Sequence, residues 1–134
     1  GATNVVPDKV ELKGTFRTMD EKWRKEAHAL ITKTVNVVCE KNNAKAELLY
    51  NEIDNNPLFK GAVETEDRSN MNVTFLLTDE SRAAEFDSMW KGAGIVGLPG
   101  HRSVGGYRAS MYNALPIESV HVLVDVMKEL ARKG

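Results

Sequence analysis

The stretch GLPGHRSVGGYRASMYNA, residues 97–114, decides most of the fold prediction. Its glycine pair, Gly105-Gly106, suits a tight turn, because glycine has no side chain to restrict its backbone angles. The residues from Val104 to Tyr112 then read as a strand, bounded by turn residues on either side. The pattern therefore predicts that the polar groups of this stretch lie on a strand and on the loop before it.

The same stretch carries groups that suit a ligand with two negative charges. Arg102 and Arg108 lie six residues apart on either side of the glycine pair, and His101 directly precedes the first arginine. Guanidinium groups bind carboxylates and phosphates through two parallel hydrogen bonds, and Gly100 would let the backbone approach the ligand closely. The alternative is a surface turn with two solvated arginines, and the residues alone leave both interpretations open.

The rest of the chain alternates between strand and helix patterns. Strands are predicted at residues 8–18, 71–77, 95–98 and 104–112, and a short strand or extended turn is predicted at residues 58–63. Helices are predicted at residues 20–54, at about 80–92 and from Pro116 onward. The order β-α-(α)-β-β-α-β-β-α favours the α+β class, with a mixed, mainly antiparallel sheet and helices packed on one face.

Several local features are predicted within these elements. Residues 20–54 contain neither glycine nor proline, so they form either one long helix or two helices that meet near residues 34–43. Gly92 is expected to end the second helix, and Pro116 is expected to be the first residue of the last one. Apolar residues at helical spacing from Trp23 onward, and inward-facing Met71, Val73, Phe75 and Leu77, are expected to build the core.

Length and composition limit the functions that the chain could have. With 134 residues, it is expected to form a single α+β domain. Its net charge of −1 gives no reason to expect nucleic-acid or membrane partners, and no apolar run is long enough to span a bilayer. Cys39 is the one cysteine in the sequence, so an internal disulfide is excluded and a reducing compartment is favoured. Its side chain is expected to be buried. Gly1 in place of methionine indicates a processed or recombinant start.

Three blocks of sequence, at residues 43–54, 68–75 and 100–114, resemble the carboxyl-terminal small domain of phosphoserine aminotransferases. The resemblance covers residues from about 40 to 134 in unbroken order. It implies that Arg108 grips the α-carboxylate of the substrate, and that His101 and Arg102 help to hold the substrate phosphate across a dimer interface. Pro99 departs from the family pattern, in which a lysine is expected, and this difference is expected to alter the loop that carries His101.

Residues 2–20, in contrast, resemble a strand in the lid, or dimerisation, domain of the zinc-dependent aminoacylase and amidohydrolase family. The helix that follows, to about Val35, fits the same source, so this resemblance covers residues from about 1 to 36. It implies that Asn4 and Arg17 lie near a substrate site on the lid, while the metal ligands lie on another domain. No corresponding set of metal ligands occurs in this chain.

The two resemblances together suggest an artificial chimera whose junction lies between about Thr34 and Asn43. The alternative is chance similarity in a natural small-domain protein. No lysine stands in a context suited to covalent attachment of pyridoxal phosphate, and His28, His101 and His121 lack the spacing of zinc ligands. The prediction is therefore an engineered folding domain that is not an enzyme and has no cofactor or metal.

Two other functions remain open from the sequence. One is an isolated phosphoserine aminotransferase fragment with weak residual binding of phosphoserine or other anions. The other is an interaction domain that associates with itself through an exposed strand edge or by swapping. The parent families would place the chain in the cytoplasm, with recombinant expression for a chimera.

Overall fold

The computed structural model describes residues 13–15 and 17–134. The chain divides into two compact units, with the boundary between Val37 and Val38. Most of the predicted strand at residues 8–18 lies outside the described residues. The described part of it, residues 13–15 and 17–18, belongs to no helix or strand.

Helix α1, Glu21–Asn55, is one continuous helix of 35 residues, which resolves the choice between one helix and two. Asp20 caps its start, because the Trp23 N–H donates to the Asp20 carboxylate over 2.9 Å. The β-branched residues near the middle do not break the helix, and the Thr34 hydroxyl donates to the Leu30 carbonyl over 2.8 Å.

The apolar face predicted for the first half of α1 is not part of a core. Trp23, Leu30 and Ile31 are 52%, 66% and 53% exposed. This prediction is wrong, because helical spacing shows that apolar residues share a face but not that anything covers it. Cys39, expected to be buried, is also exposed.

Beyond Val38, α1 buries one side against the rest of the second unit. The buried positions recur every three or four residues, as expected for one face of a helix: Asn42, Lys45, Ala46, Leu49, Tyr50, Glu52 and Ile53. Both polar and apolar side chains therefore occupy the buried stripe.

The described residues form one sheet of three antiparallel strands, so the predicted mixed sheet is purely antiparallel here. The strands are β1, Phe59–Gly61; β2, Asn72–Leu77; and β3, Tyr107–Ser110. The central strand, β2, pairs Phe75 with Gly61 on one side and with Tyr107 on the other.

One face of the sheet is buried and the other is not. Val73, Phe75 and Leu77 are buried as predicted, whereas Met71 is half-buried. They join side chains of α1 and of the two later helices, α2 at Ala83–Gly92 and α3 at Ile117–Arg132, in a single apolar cluster. The α+β class with helices on one face of the sheet is therefore confirmed.

Helix α2, Ala83–Gly92, follows a 3-10 turn at Glu80–Arg82, and its end differs from the prediction. Gly92 still lies in the helix, and Gly94 takes the left-handed conformation with φ of 81°. The Gly94 N–H donates to the Lys91 carbonyl over 3.0 Å. Gly94 is therefore the glycine that ends the helix.

Helix α3, Ile117–Arg132, begins one residue later than predicted. Pro116 has extended backbone angles, φ −69° and ψ 151°, and precedes the helix rather than starting it. The predicted strand at residues 95–98 is also absent, because Gly94 and Gly97, with φ of 81° and 71°, turn the backbone away from an extended path. A single bridge between Pro99 and Tyr107 remains beside the sheet.

An ion pair joins the end of α1 to the loop before β2. Arg68 donates to both carboxylate oxygens of Asp54, over 2.6 and 2.7 Å. The guanidinium also lies 4.6 Å from the centre of the Tyr50 ring. The hydrogen bond from Arg68 holds the pKa of Asp54 below its ordinary value.

We expect Asp54→Asn to destabilise the protein at neutral pH but not in acid. Because the pKa is depressed in the folded state, the stabilisation is complete above the ordinary aspartate pKa and is lost as pH falls through the depressed value. The Asp54 side chain is 47% exposed, so solvent screening limits the loss to about 1 kcal/mol. Urea unfolding at neutral and strongly acidic pH measures this loss of stability, with Asp125→Asn, at an exposed position of α3, as the control. An equal loss at both pH values would contradict the assignment.

Candidate anion site on the hairpin before β3

Residues 98–108 form a hairpin whose second arm enters β3. The Arg108 N–H donates to the Leu98 carbonyl over 2.7 Å, and the Gly100 N–H donates to the Gly106 carbonyl over 2.8 Å. The predicted strand at residues 104–112 is therefore shorter than expected, because its first residues form the turn of this hairpin.

The turn itself depends on the glycine pair. Gly105 and Gly106 have φ of 74° and 64°, a region that other residues rarely adopt. The N–H groups of Val104 and Gly105 both donate to the His101 carbonyl, over 3.0 and 2.8 Å. From the sequence the pair suited either a turn or a close approach to a ligand and fell inside the predicted strand; the structure places it in the turn before β3.

Gly106 also lies against the central strand. A β-carbon at this position would collide with the Leu76 side chain and would lie 2.8 Å from the Phe75 carbonyl oxygen. The absence of a side chain thus lets the hairpin pack closely over β2. This contact fixes where the loop stands relative to the sheet.

We expect Gly106→Ala to lower the free energy of unfolding by about 2 kcal/mol, the cost of forcing alanine into a left-handed conformation. Gly92→Ala is the matched control, because a β-carbon there meets nothing within 4 Å and alanine favours the helix. Urea unfolding followed by tryptophan fluorescence measures both. Equal stability of the two variants would show that Gly106 has no special role.

His101 is exposed and is oriented by Ser103. Its Nδ1 lies 2.7 Å from the Ser103 hydroxyl oxygen and 3.3 Å from the Ser103 backbone nitrogen. Because the backbone N–H can only donate, Nδ1 acts as the acceptor, which places the imidazole proton on Nε2. The histidine therefore offers an outward-facing donor.

The two arginines occupy different parts of the hairpin. Arg102 lies in the loop and Arg108 lies on β3, and both are exposed. Neither forms an ion pair with a carboxylate among the described residues. The hairpin thus carries His101 and Arg102 in its loop and Arg108 in its second arm, each with donors available to a ligand.

Arg108 is held in place by the residue before it. Tyr107 is buried, and its ring stacks on Phe75 with the centres 5.4 Å apart. Its hydroxyl donates to Asp87 over 3.0 Å, and Trp90 Nε1 donates to the same oxygen over 3.0 Å. Burial is the main cause that raises the pKa of the Tyr107 hydroxyl, and the hydrogen bond to Asp87 raises it further. Tyr107 therefore stays neutral and fixes β3 to the core.

Lys45 is a buried residue that sequence reasoning missed. Its ammonium group donates to the carbonyls of Met111, Tyr112 and Leu115, over 3.2, 2.8 and 3.1 Å. Lys45 is only 2% exposed, and burial lowers its pKa. Its burial could have been inferred from its position four residues before Leu49, which places the two side chains on the same face of α1.

Two further site residues, Asn4 and Arg17, were predicted from the sequence in the part of the chain before Val38. Asn4 lies outside the described residues, and Arg17 is exposed in a segment without regular structure. Within residues 13–15 and 17–134, no group of three or more His, Cys, Asp or Glu side chains could hold a metal. The same residues contain no helix that is long and apolar enough to cross a membrane.

Most of the chain is similar in sequence to one kind of enzyme. It is 73% identical over 92 residues to phosphoserine aminotransferase of Flavobacterium johnsoniae, covering 69% of this chain and 26% of the relative. It is 49% identical over 114 residues to the Porphyromonas gingivalis enzyme, covering 84% of this chain and 30% of the relative. No protein-family model matches the sequence.

Solved structures give the same result. Phosphoserine aminotransferase from Bacillus circulans subsp. alkalophilus superposes with a TM-score of 0.67 at 45% identity, over 70% of this chain and 26% of that one. The pyridoxal-phosphate-bound enzyme from Trichomonas vaginalis superposes with a TM-score of 0.59 at 41% identity, over 65% of this chain and 26% of that one.

These matches correct the prediction of an engineered chimera that is not an enzyme. The Porphyromonas match covers 84% of the chain. It therefore extends into the 36 residues that were assigned to a hydrolase lid. Nothing in the comparisons supports that lid, and the relatives are enzymes. The chain spans about a quarter of their length. It resembles, at high identity, a carboxyl-terminal segment of phosphoserine aminotransferase.

Proposed function

We propose that this chain is part of a phosphoserine aminotransferase and supplies the groups that hold both anionic ends of the substrate. The observation that carries the proposal is the 73% identity over 92 residues, together with a hairpin on which Arg102 and Arg108 have no carboxylate partner among the described residues. Two available guanidinium groups on one hairpin suit a ligand with a carboxylate and a phosphate.

In this proposal the two ends of the substrate meet different parts of the hairpin. Arg108, fixed on β3 by buried Tyr107, binds the α-carboxylate. His101 and Arg102 bind the phosphate, with Nε2–H of the histidine as an additional donor. The family resemblance implies that this second pair acts across a dimer interface, so the loop would serve the site of a partner subunit.

The residues present here do not fit the cofactor of such enzymes. An aminotransferase needs a lysine that bonds covalently to pyridoxal phosphate. Lys45, the one buried lysine among the described residues, is committed to three backbone carbonyls, and the other described lysines are exposed. In this proposal the cofactor site lies in the three quarters of the relatives that the chain does not match.

The proposal is tested by titrating the isotope-labelled chain with O-phosphoserine and following backbone amides by NMR. We expect weak binding, with a dissociation constant of about 1 mM or above, because an incomplete site lacks most of its preorganised contacts. Phosphoethanolamine lacks the carboxylate and serine lacks the phosphate, so the two compounds separate the contributions of the arginines.

Each variant should affect one end of the ligand. Arg108→Gln should weaken phosphoserine binding about tenfold and leave phosphoethanolamine unchanged, because it removes one charged hydrogen-bonding group. Arg102→Gln should weaken both phosphate-bearing ligands. Arg132→Gln, at the exposed end of α3, is the control. Phosphoserine that shifts no amide of the hairpin, or that binds equally to Arg108→Gln, would refute the proposal.

Self-association through a strand edge or by swapping stays a prediction for this chain. The exposed apolar side chains Leu30, Ile31 and Val35 on α1 are consistent with it. The hairpin proposal bears on it, because His101 and Arg102 would meet the substrate in the site of a partner subunit. The NMR titration is therefore repeated at several chain concentrations, so that binding by one chain is separated from binding by associated chains.

A further inference from the structure

A cavity of about 310 Å³ lies beside β3 in the unit that follows Val38. Its walls come from residues 93–98, from the end of β3 and from the start of α3. Most of its surface is apolar, with the walls formed chiefly by Ile95, Leu98, Met111, Leu115, Val120 and Leu123. Nothing in the substrate proposal uses this apolar space.

The cavity exists because the two arms of the hairpin separate. They are paired where the Arg108 N–H meets the Leu98 carbonyl. Immediately before that point, Gly97 takes a φ of 71° and turns the chain away. The outer edge of β3 beyond Arg108 therefore has no neighbouring strand among the described residues, and the gap is the cavity.

This edge of β3 offers backbone as well as side-chain donors. In an antiparallel strand, the N–H groups of alternate residues point to the same edge. The Arg108 N–H points to the outer edge, toward Leu98, so the Ser110 N–H also points outward, on the side of the cavity. A ligand atom placed there would find a donor that β2 does not use.

Arg108 adds positive charge to an otherwise apolar enclosure. It is one of the residues that line the cavity, it is exposed, and it forms no ion pair with a described residue. Among the residues that the structure describes, no aspartate or glutamate lines the cavity. A ligand that matches these walls therefore has an apolar body and one negative charge at one end.

We propose that this cavity binds a small aliphatic carboxylate, with its hydrocarbon chain against the apolar walls and its carboxylate on Arg108 and the Ser110 N–H. The size fits, because an apolar cavity of about 150 Å³ binds benzene and this one, of about 310 Å³, is larger. Phosphoserine does not suit these walls, since its phosphate would lose hydration without gaining partners. The inference shares Arg108 with the proposed function but requires a different ligand class.

The test uses hexanoate as the probe and NMR of the labelled chain as the readout. Hexanoate should shift the amides of Ala109, Ser110 and Leu123, and hexan-1-ol, which has the same chain without the charge, should bind at least about tenfold more weakly. Arg108→Gln should remove that difference. Val122→Trp, at a cavity residue that is 40% exposed, should block both probes without disturbing the core.

Control variants separate this inference from the substrate proposal. Arg102→Gln should leave hexanoate binding unchanged and weaken phosphoserine binding, whereas Val122→Trp should do the reverse. Hexanoate that binds Val122→Trp as tightly as the wild-type chain would show attraction to a surface arginine alone and would overturn the inference. Phosphoserine binding without any hexanoate-induced shift would also overturn it and leave the proposed function intact.

Discussion

Phe75→Ala is expected to lower the free energy of unfolding by about 4 kcal/mol, within the range for removing a buried phenylalanine side chain. Phe75 is fully buried at the centre of β2. Its ring centre lies 5.8 Å from that of Phe59, 6.4 Å from that of Phe86 and 5.4 Å from that of Tyr107. Alanine would lose all three ring contacts and leave a cavity between the sheet and α2.

The measurement is urea unfolding, followed by the fluorescence of Trp90, which is 3% exposed and lies in the same core. Phe75→Leu is the matched control, since it keeps most of the apolar volume and should cost less than about 2 kcal/mol. If alanine and leucine had equal effects, the ring cluster would not be the centre of the core.

Lys45→Met is expected to lower the free energy of unfolding by about 3 kcal/mol. The three carbonyls bound by the ammonium group belong to the turn between β3 and α3. Methionine keeps the volume but leaves buried carbonyls without a donor, and hydrogen bonds to charged groups are the stronger ones. The turn that follows β3 would then lose three hydrogen bonds to α1 and keep the one from the Asn42 amide to Asn113.

The control for Lys45 is Lys41→Met, one turn earlier on an exposed position of α1, which should change stability by less than about 0.5 kcal/mol. A pH series adds a second readout. Because burial lowers the pKa of Lys45 below 10.5, the unfolded state holds the extra proton between the two pKa values, so stability rises with pH there. Lys45→Met should lack this rise. A rise of equal size in the variant would contradict the assignment.

The elements of the second unit were largely predictable from sequence, and the exceptions have local causes. Strand β2 was found because its apolar residues alternate. The predicted strand at residues 95–98 failed because Gly94 and Gly97 adopt left-handed angles, and apolar composition alone does not show backbone angles. β-Branched residues have lower helix propensity, but the continuous α1 helix shows that the run near residues 34–38 does not end it.

The exposed side chains of the candidate site could be chosen from the sequence. The buried side chains that hold its backbone in place could not. Arg102 and Arg108 could be chosen because arginines beside glycines suggest anion binding. Lys45 could not be chosen by type, because lysine in a helix is usually solvated. The bond from Tyr107 to Asp87 joins residues 20 positions apart, and only the tertiary fold brings them together.

The hydrolase resemblance failed for a related reason. It rested on a short strand-and-helix pattern at residues 2–20, and patterns of that length recur in unrelated folds. The aminotransferase match covers 84% of the chain, so it extends into the 36 residues that were assigned to the lid. A resemblance that extends in order over most of a chain is stronger evidence than a local one.

The most direct test of the central claim is the activity of a hybrid enzyme. The matching 92 residues of this chain would replace their counterpart in the Flavobacterium johnsoniae phosphoserine aminotransferase. The proposal predicts kcat/KM within about tenfold of the parent enzyme, and a loss of about a hundredfold in the hybrid with Arg108→Gln. A hybrid that folds and binds pyridoxal phosphate but transfers no amino group from phosphoserine would contradict it.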